Sequence, residues 1–123
     1  RVVKADPDGY NLIVLTGDSH NAWAFDLPED GKPAGVEFGG HSVTSPGYES
    51  GIRRDPKEVA AAVIASSPEL KWADTSRRGY MATVLSPERV RNDWVFVDTI
   101  RTRTPAARVG HSATVMRGRN ELG

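Results

Sequence analysis

Leu12-Ile-Val-Leu-Thr-Gly-Asp-Ser-His-Asn-Ala-Trp-Ala-Phe-Asp-Leu27 decides how the rest of the chain reads. A four-residue apolar run, Leu12 to Leu15, enters Thr16-Gly17, and the polar cluster Asp18-Ser19-His20-Asn21 follows at once. An uninterrupted apolar run is the pattern of a strand buried on both faces of a layered α/β sheet. Polar groups just beyond the carboxyl end of such a strand are where open α/β sheets build their sites. In an extended backbone Asp18 and His20 point to the same side. One carboxylate and one imidazole aimed at one point make half of a metal site. On spacing alone, the competing reading is a turn aspartate beside a hydrogen-bonded histidine.

Working outward, residues 1 to 11, with Asp6-Pro-Asp-Gly-Tyr, read as a turn-rich lead-in to a first strand over Asn11 to Thr16. Ala22 to Leu27 reads as a second extended or short helical piece, and Pro28-Glu-Asp-Gly-Lys-Pro33 as an exposed turn. Val36 to Phe38 is a short strand, and His41 to Gly51, rich in Ser, Gly and Pro, an ordered loop. A helix over residues 55–66 is signalled by Asp55 as N-cap, Pro56 at the first position and Glu58 closing a capping box. Its expected buried stripe is Val59, Ala62 and Val63, with Ser66 below. Leu70 to Gly79 reads as irregular, held by Trp72. Tyr80 to Leu85 and Arg91 to Ile100 read as a strand pair around the turn Ser86-Pro-Glu-Arg89, with Trp94 and Phe96 on one face. From Arg101 the chain is basic and polar, with weak strand character at Ala113 to Met116.

The chain has 123 residues, 16 basic and 16 acidic, so no net field points to nucleic acid or to an anionic membrane. It has no cysteine, which excludes disulfides and thiolate metal sites within it. No apolar run approaches the roughly 20 residues needed to span a bilayer. Arg1-Val-Val-Lys lacks signal-peptide anatomy.

Thr16-Gly-Asp-Ser-His-Asn-Ala-Trp-Ala-Phe-Asp-Leu27 resembles the late metal-binding motif of the PhoD-like alkaline phosphatases and phosphodiesterases, a branch of the calcineurin-like metallophosphoesterases. Four further blocks resemble that family in the same order. They are Gly35-Val-Glu-Phe38 with Ser42-Val-Thr-Ser-Pro-Gly47, Leu70-Lys-Trp-Ala-Asp-Thr-Ser-Arg-Arg-Gly-Tyr-Met81, Asp93-Trp-Val-Phe-Val-Asp-Thr-Ile100, and Arg117-Gly-Arg-Asn120. The resemblance implies an α/β fold, the C-terminal portion of an αββα-sandwich metallophosphoesterase, built mainly of strands plus the helix at 55–66. Residues 1–123 are then the C-terminal segment of a catalytic domain whose N-terminal remainder, with most of the metal ligands, is not in this chain. By itself the segment is expected to be inactive.

The same resemblance implies hydrolysis of phosphomonoesters or phosphodiesters by a metal-activated water or hydroxide. It also implies iron and calcium, with Mn, Zn or Mg as other divalent choices, and a secreted or periplasmic location. Asp18 and His20 are the expected metal ligands. The expected partners are the missing N-terminal part and a phosphate-ester substrate. A phospholipase D acting on phospholipid headgroups through the same site is the alternative activity, and a non-catalytic scaffold fragment the alternative class. Asn21 and Arg78 are candidate phosphate contacts. Against these stand an Asx-turn for Asn21 and, for Arg77 and Arg78, an ion pair with Asp74 or a helix terminus. Trp23 and Tyr80 read as core, Ser42 and Thr44 as loop self-capping, and His111 as solvated. The resemblance gives His41 no role.

Overall fold

The structure, a computed structural model, describes residues 11–104 and 106–123. The turn expected at Asp6 to Tyr10 lies outside them. Strands β1 (Leu12–Thr16), β2 (Ala22–Glu29), β3 (Lys32–Gly39) and β4 (Leu70–Asp74) form one sheet in the order β1-β3-β2-β4. Strands β5 (Gly79–Leu85), β6 (Arg89–Val97) and β7 (Ala107–Met116) form a second, antiparallel sheet. Helix α1 spans Pro56–Ser66, and a single 3-10 turn, Tyr48–Ser50, interrupts the long loop.

Alternation along β2 explains the layering. Ala22 and Ala24 face Trp94, Phe96, Val90 and Val115 of the second sheet, with Val36 and Phe38 beside them. The ring of Phe38 meets Trp94 edge-on at 5.6 Å between centroids, a favoured aromatic geometry. Trp23 and Phe25 point the other way, to Leu70, Ala73 and the helix residues Ala60, Val63 and Ile64. The described residues therefore stack as helix, sheet, sheet. This is the strand-rich, one-helix part of an α/β sandwich that the resemblance implies.

Several expectations are corrected. The turn between β2 and β3 contracts to Asp30-Gly31, both at positive φ (52° and 74°), the twist that a two-residue hairpin requires. Strand β1 is not buried on both faces. Among the described residues it is an edge strand, paired only with β3 and parallel to it, and Leu12 and Leu15 are 42% and 52% exposed. Leu70–Asp74 is a strand rather than irregular; a register shift between Ala24 and Phe25 breaks the alternation that would have signalled it. All of Ala107–Met116 is strand, masked in the sequence by Gly110 and by a bulge opposite Trp94 and Val95. Strand β6 starts earlier and ends earlier than expected, at Arg89 and Val97, and its inward face carries Trp94 and Phe96 as expected.

In α1 the Asp55 carboxylate accepts from the Lys57 amide at 2.8 Å, a regular N-cap. The inward stripe is Val59, Ala60, Val63 and Ile64; Ala62 and Ser66 face solvent. Glu58 lies 4.0 Å from Arg54 across one turn.

Candidate metal-ligand site at the end of β1

Strand β1 ends at Thr16, and the chain bends through Asp18 to Asn21. Asp18 and His20 both adopt left-handed backbone, φ 71° and 60°. The extended geometry expected here is therefore absent, and strand alternation does not place these two side chains. A non-glycine residue in that region costs about 1–2 kcal/mol, less for aspartate, and persists where its surroundings fix it. Both side chains are exposed.

Ser19, between them, is the fixing point. Its amide donates to the Gly17 carbonyl at 2.8 Å. Its hydroxyl accepts from the Trp23 indole at 2.6 Å, and its carbonyl accepts from the Asn21 side-chain amide at 2.6 Å. Trp23 is core, as expected, so the bend is bolted to the layer beneath α1.

His20 Nδ1 lies 2.9 Å from the carbonyl oxygen of Pro46. A carbonyl only accepts, so Nδ1 is the donor in this contact, and an uncharged ring so held turns the Nε2 lone pair to its far side. A metal-binding histidine commonly shows this arrangement, its other nitrogen donating to a backbone carbonyl. An imidazole nitrogen and a carboxylate oxygen suit divalent cations and iron. By donor type Asp18 and His20 suit such an ion, and of the two the His20 ring has an anchor, the Pro46 carbonyl. Among the described residues no group of three or more His, Cys, Asp or Glu comes together, so two donors are what these residues offer.

Asn21 is fully buried, and both ends of its amide are used, Nδ2 on Ser19 and Oδ1 accepting from the Tyr48 amide at 3.1 Å. Arg78 is also buried. Its guanidinium forms an ion pair with Glu49 and donates to the carbonyls of Ser76 and Arg77, both at 3.1 Å. Burial lowers its pKa from the ordinary value. Arg77 forms the expected ion pair with Asp74, Nε 2.6 Å from its carboxylate, with its guanidinium carbon 3.7 Å from the centroid of Phe96.

His41 is buried, lies tilted against Phe96 with 4.6 Å between ring centroids, and donates from Nε2 to the Val95 carbonyl at 3.2 Å. Desolvation lowers its pKa, the Val95 carbonyl opposing in part. Ser42 caps its own loop, accepting from the amides of Thr44 and Ser45. Two expectations fail. Tyr80 is about half exposed rather than core. His111 is not solvated; its ring lies flat on Trp72, 4.1 Å between centroids and 10° between planes. Residue reading gave no role to Pro46 or Glu49. Glu49 meets Arg78 across 29 residues, and no local spacing signals such a partner.

Two packed sheets with a helix outside one of them describe part of a layered α/β domain, with an Asp-x-His bend at the end of one strand. The family profile described as PhoD-like phosphatase matches residues 3–94. Alkaline phosphatase D of Bacillus subtilis (strain 168) is 32% identical over 89 residues, covering 68% of this chain and 14% of that protein. A solved structure titled "Structure of PhoD" superposes with a TM-score of 0.76 at 24% identity, covering 94% of this chain and 22% of that one. The structural likeness speaks for the fold. The chain belongs to the PhoD-like phosphatase family, and it spans a small share of the length of the relatives it matches.

Proposed function

We propose that this segment supplies Asp18 and His20 as ligands to the metal centre of a phosphoesterase that hydrolyses phosphomonoesters or phosphodiesters. The observation that carries the reading is the exposed His20 ring, tied by Nδ1–H to Pro46, two residues from the exposed carboxylate of Asp18. Iron with calcium is the metal complement favoured by the family resemblance, with Mn, Zn or Mg as alternatives. When bound, such a centre offsets phosphate charge and lowers the pKa of a water. The His20 ring is held by Pro46 on a bend that Ser19 fixes, so little reorganisation of that donor is needed on binding.

The remaining ligands come from the rest of the family domain. The edge that β1 presents among the described residues supports that partner: parallel strands occur almost wholly covered, yet Leu12 and Leu15 here lie half bare. In the full-length protein, His20→Ala and Asp18→Asn are expected to lose bound metal by elemental analysis and to cut hydrolysis of p-nitrophenyl phosphate by more than about 100-fold, beyond the loss typical of an outer-sphere partner. Unchanged metal content and rate in both variants would sink the assignment. Comparing bis-p-nitrophenyl phosphate with phosphatidylcholine vesicles decides between a soluble diester and a phospholipase D substrate.

A further inference from the structure

A chain of contacts leads from a buried cation to the ring of His20. Arg78 is 7% exposed and forms an ion pair with Glu49. The Glu49 carboxylate accepts from the amide of Gly47, 3.1 and 3.4 Å from its two oxygens. That N–H and the carbonyl of Pro46 are the two ends of one planar peptide unit. The Pro46 carbonyl is the group that receives the His20 Nδ1 proton, at 2.9 Å. Gripping one end of a rigid plane sets the direction of the other. Glu49 therefore aims the carbonyl at His20, and Arg78 fixes Glu49.

A second clamp works beside the first. The next amide, that of Tyr48, donates to Asn21 Oδ1, while Asn21 Nδ2 holds the carbonyl of Ser19. The loop at 46–49 and the bend at 18–21 are thus joined through Asn21 and through His20. The fit is close. A Cβ at Gly47 would run into Asn21 Oδ1, so only glycine lets the loop approach this near.

We propose that Arg78 and Glu49 are positioning residues that orient the Pro46–Gly47 peptide and so hold His20 in its Nδ1–H tautomer, with Nε2 as a free lone pair. The arrangement gives Arg78 a task other than touching phosphate: its charge is spent on Glu49, and two of its donor contacts go to backbone carbonyls. This rests on the ligand role given to His20, but the tautomer itself is measurable without metal.

The test is long-range 1H–15N correlation NMR of the histidine rings in the metal-free, full-length protein, with His20 assigned by its loss in His20→Gln. The wild type should show His20 as the Nδ1–H form. Glu49→Ala should move it toward the Nε2–H form that a free imidazole favours. Glu49→Gln keeps an oxygen for the Gly47 amide and should keep the wild-type tautomer, a rescue that general loosening would not give. If Glu49→Ala loses its cooperative melt, Arg78→Lys carries the test, because an ammonium lacks the guanidinium's fork and should yield a mixed population. A pure Nδ1–H signal in whichever of these variants is folded overturns the proposal. Adding Mn2+ separates it from the reading it rests on. Broadening of the His20 Nε2 signal supports both. A tautomer shift in Glu49→Ala without Mn2+ broadening in wild type keeps the positioning role and removes the ligand role. In metal-loaded protein Glu49→Ala should lose about 10–100-fold in metal affinity or activity, with Glu49→Gln close to wild type.

Discussion

The indole N–H of Trp94 donates to the carbonyl of Gly39 at 2.9 Å, a buried bond that joins the second sheet to the end of β3. Gly39 is paired in register with Thr16, where β1 stops and the Asp18–Asn21 bend begins. Trp94 therefore does two things: it fills the space beneath Phe38 and Trp72, and it satisfies a carbonyl at the base of the candidate site. Trp94→Phe keeps an aromatic ring but leaves that carbonyl without its donor. A buried unsatisfied acceptor costs about 1–3 kcal/mol, and the smaller ring adds a void. We expect a loss of about 3 kcal/mol in urea denaturation with an unchanged m-value. A loss below about 1 kcal/mol would mean that the carbonyl finds another donor.

Acid should weaken the fold through two histidines. Burial is the main cause lowering the pKa of both His41 and His111, and the Arg77 charge adds to it in each case. The unfolded chain, with ordinary values near 6.5, then binds protons more readily than the native state. Stability should be level above about pH 6.5 and should fall as the pH drops below it toward the lowered folded values. Calorimetric melts between about pH 8 and pH 5 check this, above the range where carboxylates dominate. His111→Phe keeps a flat ring on Trp72 without the titration, and its melting point should decline less steeply across that window. A slope unchanged from wild type in both His111→Phe and His41→Phe would refute the assignment.

The helix offers a narrower test. Asp55 is exposed and its carboxylate accepts from the Lys57 amide, so Asp55→Ala removes a cap and little else. The expected loss is about 1 kcal/mol, read from the denaturation midpoint. Asp55→Asn should retain most of it, because the amide oxygen still accepts.

What the sequence disclosed follows the range of the forces involved. The α1 start was legible because Asp55 and Pro56 act on their own neighbours. The inward face of β6 was legible because Trp94 and Phe96 sit two residues apart on a regular strand. Strands β4 and β7 were hidden where bulges shift the register and alternation fails. The cluster Asp18-Ser19-His20-Asn21 does follow the end of a strand, but its extended shape is not found. The left-handed bends depend on Trp23, Asn21 and the 46–48 loop, partners brought in by tertiary packing. The pairing of Arg78 with Glu49 lies further still from any local signal. His111 was misplaced for the same reason, since Trp72 reaches it from the other sheet.

The edge of β1 gives the sharpest test of how this segment is completed. Leu15 is 52% exposed in the described residues, where a surface substitution changes stability by no more than about 0.5 kcal/mol. If the rest of the family domain covers this parallel edge, Leu15 is core in the full-length protein, and Leu15→Asp buries an unpaired carboxylate. The cost should then reach about 2 kcal/mol or more, with loss of soluble protein as the extreme. Leu12→Asp, on the same strand and 42% exposed, should behave alike. Val84→Asp serves as the contrast, at 63% exposed on β5 of the other sheet. Melting of the three full-length variants decides the matter. Large losses at Leu12 and Leu15, with little change at Val84, mark β1 as an interior strand of an extended sheet. Equal, small effects at all three would leave β1 as a true edge and remove the structural support for the proposal that the rest of the family domain supplies further ligands.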